Sequence, residues 1–131
     1  MKNVPSGRLG DMYREHINLI LKKDIDGLLD QYSKDAVLIS SFEKVPKYFR
    51  GHAELKEHFQ GILGIEGLET EIAFWAETEN PTTLMIVEAI TLSTPDGAAQ
   101  MRFADSWVLD ETGRITIHFA GMTQYPDGTV A

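Results

Sequence analysis

Met101-Arg102-Phe103-Ala104-Asp105-Ser106-Trp107-Val108-Leu109 lies between two turn signals, Pro95-Asp96-Gly97 and Asp110-Glu111-Thr112-Gly113, and reads as a strand. Residues two apart on a strand share a face, so Asp105 stands in line with Met101, Phe103 and Trp107. An ionised acid among large apolar side chains costs several kcal/mol unless it is paired, hydrogen-bonded or protonated. This strand is therefore the first place to look for function.

The same alternation extends to both sides. Leu68, Thr70, Ile72, Phe74 and Ala76 alternate with Glu69, Glu71, Ala73, Trp75 and Glu77, and Thr83 to Thr94 reads as a longer strand. Arg114 to Tyr125 reads as the last one. Upstream of residue 68 the period is helical. Leu9, Met12, Tyr13, His16, Ile17 and Ile20 mark an amphipathic helix over about 8–22, with Ser6 as its cap. Asp24 caps a short second helix carrying Ile25, Leu28, Leu29 and Tyr32. Ala36 to Ser40 reads as a short buried strand, followed by a loop from Ser41 to Arg50. That loop is either a lid or an ordered connection. Gly51 opens a third helix whose buried face is Leu55, His58 or Phe59, Ile62 and Leu63. Three helices followed by a meander of long antiparallel strands predict a single α+β domain over 1–131, with a loosely held tail at 126–131.

The chain has 131 residues, enough for a substantial core, and no cysteine, which excludes disulfides, thiolate metal sites and cysteine nucleophiles. Its formal charge is −8, with 20 acidic against 12 basic residues, and the lysines are scattered. That disfavours nucleic acid and anionic membranes as partners. No stretch approaches the roughly 20 apolar residues of a membrane span, and the first seven residues lack a secretory core, so cytoplasmic residence is the default expectation. No short-spaced motif such as His-Glu-x-x-His supports a metal site, and no glycine fingerprint implies a nucleotide cofactor, so neither is expected.

Register narrows the candidates for a site. Ile86, Glu88, Ile90 and Leu92 share one face of their strand, and His118, Ala120 and Met122 share one face of the last. Periodicity does not say which face of the last strand is inside, and a bulge would turn Glu88 to solvent. If Glu88, Asp105 and His118 share the concave face, three titratable groups converge beneath the helices, with His16 on the first helix as a fourth. The expected lining around them is Tyr13, Tyr32, Ser40, Phe59, Ile86, Ile90, Met101, Phe103, Trp107 and Met122. His52 is expected to be exposed, and His58 to face either the pocket or solvent. Both faces of the last strand are rather apolar, as a curved sheet wrapping helices on one side and partly buried in a dimer on the other would require.

Four stretches carry a family resemblance: Lys23-Asp24-Ile25-Asp26-Gly27-Leu28, Tyr32-Ser33-Lys34-Asp35-Ala36-Val37, Phe49-Arg50-Gly51-His52-Ala53-Glu54-Leu55 and Trp107 to Ile115. In order and spacing the chain resembles the nuclear transport factor 2-like superfamily, in its ketosteroid isomerase and SnoaL-like polyketide cyclase branch, over about residues 8–125. The resemblance implies a cone: a curved antiparallel sheet wrapped by three N-terminal helices around an apolar pocket, in many members a homodimer through the sheet. In ketosteroid isomerase an Asp base moves a proton while a Tyr and a protonated Asp hold the substrate oxygen. Asp105 matches the protonated Asp, His16 stands at the Tyr position, Ser40 stands at the base position, and Tyr32 keeps an aromatic that backs the site in some relatives.

One of three catalytic identities is retained, which argues against standard ketosteroid isomerase activity. SnoaL-like cyclases and related dehydratases use Asp and His groups in this cone for enolisation, aldol closure or water loss. The implied function is a cofactor-independent proton-transfer enzyme acting on a small hydrophobic carbonyl compound. His16, oriented by Asp105, would be the proton carrier, with His118 or Glu88 as second acid/base. The alternative is a non-catalytic module of the same fold that binds a small ligand or dimerises.

Overall fold

The computed structural model describes residues 1–62 and 64–131. Leu63, read above as part of a buried helix face, lies outside the described residues. The elements run α1 (Arg8–Lys22), α2 (Ile25–Asp30), β1 (Tyr32–Ser40), β2 (Lys47–Arg50), α3 (Gly51–Ile62), β3 (Glu69–Thr78), β4 (Thr83–Thr94), β5 (Gly97–Leu109) and β6 (Ile115–Gln124). The strands form one curved, unclosed six-stranded sheet in the order β2-β1-β6-β5-β4-β3. This is the expected α+β cone. One pair departs from the antiparallel scheme: β1 runs parallel to β6, because α3 and the meander β3–β5 intervene before the chain returns beside it.

The helices are anchored in different ways. Asp24 caps α2 as expected, its Oδ1 accepting from Gly27 N at 2.9 Å. Ser6 does not cap α1; the N-cap is Gly7, without a side-chain bond. Arg14 fastens the entry instead, donating to the carbonyls of Val4 and Pro5 at 2.8 Å each. Gly10 is required here, since a Cβ on it would lie 1.9 Å from Pro5 O. The helices bury Leu28, Leu55 and Phe59 against Ala36, Leu38 and Ile115 of the sheet, all nearly inaccessible.

Three strand readings are corrected. β1 begins at Tyr32 rather than Ala36; its exposed Lys34 and Asp35 hide the start in a polar sequence. Lys47–Arg50, read as loop, is an edge strand on β1, with Ser40 opposite Lys47 and Val37 opposite Arg50. Most of this strand is exposed, so no alternation marks it. In β3 the register against β4 shifts between Ile72 and Phe74, a bulge at Ala73. The extra residue reverses the faces beyond it. Phe74 is 57 % exposed, while Trp75 turns in and meets the Tyr13 ring edge-on at 5.8 Å.

The tail is also tied down more than its composition suggests. Residues 126–131 are exposed, yet they turn back through Gly128, with Tyr125 N donating to Thr129 O at 2.8 Å and Ala131 N to Thr123 O at 3.0 Å.

The absence of native cysteine makes the bulge directly testable. A Phe74→Cys variant should react with a maleimide nearly as fast as unfolded chain, whereas an Ile72→Cys variant should be strongly protected. Equal rates at these two positions, which an unbroken strand would place on one face, would refute the bulge.

Candidate functional site

Between α1 and α3 on one side and β4–β6 on the other lies a cavity of about 300 Å³, at the lower end of the range for small-molecule sites. The period-2 faces read from sequence supply its floor. Ile86, Glu88 and Ile90 of β4, Met101, Phe103, Asp105 and Trp107 of β5, and His118 and Met122 of β6 all line it. Tyr13 and His16 of α1 and His58 and Phe59 of α3 form the roof. No Lys or Arg is among the described lining residues. Two expected lining residues are elsewhere. Tyr32 is sealed behind His118, and Ser40 faces a neighbouring recess beyond Phe42.

Asp105 is paired, but not with the partner expected. Its Oδ1 lies 2.7 Å from Nε2 of His118, whose Nδ1 lies 2.7 Å from the Tyr32 hydroxyl. Register explains the pairing: Asp105 opposes Ala120 and Trp107 opposes His118, so Asp105 and His118 are diagonal neighbours on one face of adjacent strands. Burial first, and the negative charge of Asp105 second, push the Tyr32 hydroxyl well above its ordinary value. Tyr32 thus keeps its proton and donates to Nδ1, and Nε2–H of the imidazole donates to Asp105. Two partners fix His118, and His118 in turn fixes one oxygen of Asp105.

His16 is held by a different group. Its Nδ1 meets Gln31 Oε1 at 2.9 Å, and Gln31 Nε2 donates to Met12 O at 3.2 Å. The amide orientation makes Nδ1 the donor and leaves Nε2 for a ligand. His16 packs edge-on to Trp107 at 5.0 Å. Burial, and next the proximity of His118, lower its pKa to about 4, against the weaker pull of Gln31 and Asp105. His16 and Asp105 therefore face one cavity without forming the expected pair. Nothing in the sequence marked Gln31, a single polar residue between helix and strand.

Glu88 faces the cavity and is 5 % exposed. The Tyr13 hydroxyl donates to its Oε2. Tyr13 stands one helical turn before His16, so the helix spacing already aimed both at one cleft. Burial, and then the negative charge of Asp105, raise Glu88 to about 8, with the Tyr13 hydrogen bond acting the other way. Burial thus favours the neutral, protonated carboxyl. Burial and the proximity of Glu88 push the Tyr13 hydroxyl well up. His58 is brought to about 4 by burial and by His118 and His16. His52, expected to be exposed, is part-buried, its Nε2 bonding Tyr32 O at 3.0 Å. Among the described residues no cluster of three His or carboxylate side chains has metal-holding geometry, and no helix is long and apolar enough to cross a membrane.

Comparison with known proteins agrees with this architecture. A ketosteroid isomerase from Mycobacterium sp. superposes with a TM-score of 0.69 at 20 % identity, over 86 % of this chain and 95 % of that one. The epoxide hydrolase/cyclase-like enzyme SalBIII of salinomycin pyran ring formation gives 0.70 at 14 %, over 86 % and 88 %. A Mycobacterium tuberculosis protein solved with estradiol-17beta-hemisuccinate gives 0.67 at 14 %, over 82 % and 88 %. At such identities the likeness is one of fold. No curated protein matches the chain in sequence. The family model of the SnoaL-like domain matches residues 13–118, from the tyrosine that bonds Glu88 to the histidine that bonds Asp105, and the chain belongs to that family.

Proposed function

We propose that this protein is a cofactor-independent proton-transfer enzyme of the isomerase, cyclase or dehydratase type, acting on a small hydrophobic carbonyl compound. The observation that carries the reading is the pairing of two unlike carboxyl groups on one concave face. Asp105 is oriented by the Tyr32–His118 chain, and Glu88 is held protonated on the neighbouring strand. A carboxyl group oriented by an imidazole, beside one that burial holds neutral, suits a base and acid pair.

In this mechanism the free oxygen of Asp105 removes the proton from the carbon next to the carbonyl. The C–H electrons move into the enolate, whose oxygen accepts a hydrogen bond from the neutral Glu88 carboxyl. The proton held by Asp105 then passes to a second carbon, to a departing β-hydroxyl that leaves as water, or to the alkoxide formed when the enolate carbon closes a ring on another carbonyl. His118 is a positioning residue, acting through Asp105. His16, with its imidazole neutral, accepts a hydrogen bond from a substrate hydroxyl through Nε2 rather than serving as base.

The convex face of the sheet supports a homodimer in this reading. Met85, Ile117 and Phe119 are 43–54 % exposed on it. Phe119→Glu should convert a dimer to monomer in sedimentation equilibrium. A wild-type chain that sediments as monomer well above micromolar concentration would exclude that assembly.

Deuterium incorporation next to the carbonyl, followed by NMR across a panel of cyclic and aryl ketones, tests the chemistry. Asp105→Asn should lower the exchange rate by about 100-fold or more. Ketones that bind but do not exchange would leave a ligand-binding module instead. Exchange should also decline as pH rises through about 8, where Glu88 loses its proton, and Glu88→Gln should remove that decline.

Stability follows the same group. Its pKa rises from 4.5 to about 8 on folding, so between those values the folded chain holds a proton that the unfolded chain releases. That stabilisation is complete below about 4.5 and lost as pH rises through about 8. Urea unfolding across this window should therefore show wild type weakening relative to Glu88→Gln; parallel curves would contradict the shift.

A further inference from the structure

Beside the cavity lies a second recess of about 280 Å³, between the β1–β2 edge and α3. Phe42, His58, Gly61 and Ile62 line both spaces, so the two are neighbours separated by a thin partition. The partition is aromatic. The Phe42 ring stacks on His58 at 5.7 Å and meets Phe103 edge-on at 5.4 Å. The backbone beneath it is pinned at Ser41, whose Oγ accepts from Met122 N at 2.7 Å and whose carbonyl accepts from the Tyr125 hydroxyl at 3.0 Å. With that backbone pinned, rotation of the Phe42 side chain is the local motion that would join the two spaces.

Gly61 points to the same passage independently. It lies within α3, where glycine weakens a helix relative to alanine, and its φ is not positive, so the backbone does not require it. A Cβ built there meets no described atom within 4 Å. Gly61 is itself exposed, at the rim where the two spaces meet. Their chemistry differs. The main chamber is apolar around its acids, whereas the recess presents the Ser40 hydroxyl and the Lys47–Glu43 ion pair, 2.6 Å apart.

We propose that the recess is a second subsite of the cavity, reached past Phe42, that takes the hydrogen-bonding tail of an elongated ligand. The apolar body of that ligand fills the main chamber, and Phe42 and Gly61 set the accepted length. The proposal rests on the cavity being the binding site for a hydrophobic carbonyl compound, but not on turnover. Ser40, absent from the main chamber, acquires a role here as hydrogen-bond partner for the tail.

Binding of methyl ketones from hexanone to tetradecanone, with and without a terminal hydroxyl, provides the test. Trp107 lines the cavity, so its fluorescence can report occupancy. Wild type should gain roughly fourfold in affinity per methylene into the long members. A terminal hydroxyl should weaken the short members at least tenfold and leave the long ones nearly unchanged. Gly61→Leu should weaken only the long ketones, by tenfold or more, and Phe42→Ala should strengthen them. Length dependence unaltered in both variants, or a hydroxyl penalty equal at every length, would overturn the subsite while leaving the main cavity as a binding site. If wild type binds no ketone of any length, the carbonyl-ligand reading fails and the subsite with it.

Discussion

Two carboxyl groups buried on one apolar concave face are the constraint to which the rest of the site answers. No Lys or Arg lines the described cavity, and two neighbouring negative charges there would be mutually unfavourable. The chain resolves this asymmetrically. Asp105 receives an N–H from His118, itself fixed by the sealed Tyr32 hydroxyl, while Glu88 retains its proton beside Tyr13. One acid is held by an imidazole and the other by a phenol, with burial favouring the neutral form of Glu88.

Several local features serve that outcome. α1 delivers Tyr13 and His16 from successive turns, and the Gln31 amide leaves Nε2 of His16 for a ligand. The β3 bulge turns Trp75 inward against Tyr13, packing the ring whose hydroxyl bonds Glu88. The parallel docking of β1 on β6 brings Tyr32 behind His118. Asp105 thus has an imidazole partner on β6, and the carboxyl that burial favours in the neutral form is Glu88 on β4.

Much of this was legible in the sequence where the signal is periodic. The switch from helical to alternating period places the helices before the meander. The shared face of Ile86, Glu88 and Ile90 and that of Met101, Phe103, Asp105 and Trp107 follow from alternation alone, and Asp24 announces its helix by capping chemistry. What escaped was non-periodic. A bulge adds one residue without any compositional mark, so Phe74 and Trp75 were assigned to the wrong faces. An exposed edge strand such as Lys47–Arg50 has no buried side to alternate with. The partner of Asp105 depends on cross-strand register between β5 and β6, which one strand's pattern does not contain, and Gln31 reaches His16 only because of how α2 docks on α1.

The central claim is that Glu88 keeps its proton beside Asp105 in one cavity. A carbon-13 NMR titration of the carboxyl resonances, with Glu88 assigned by loss of its signal in Glu88→Gln, addresses it without any substrate. The expected result is a Glu88 midpoint near 8. A midpoint at the ordinary value of 4.5 would mean that Glu88 is ionised at neutral pH, and the proposed division into acid and base would not stand.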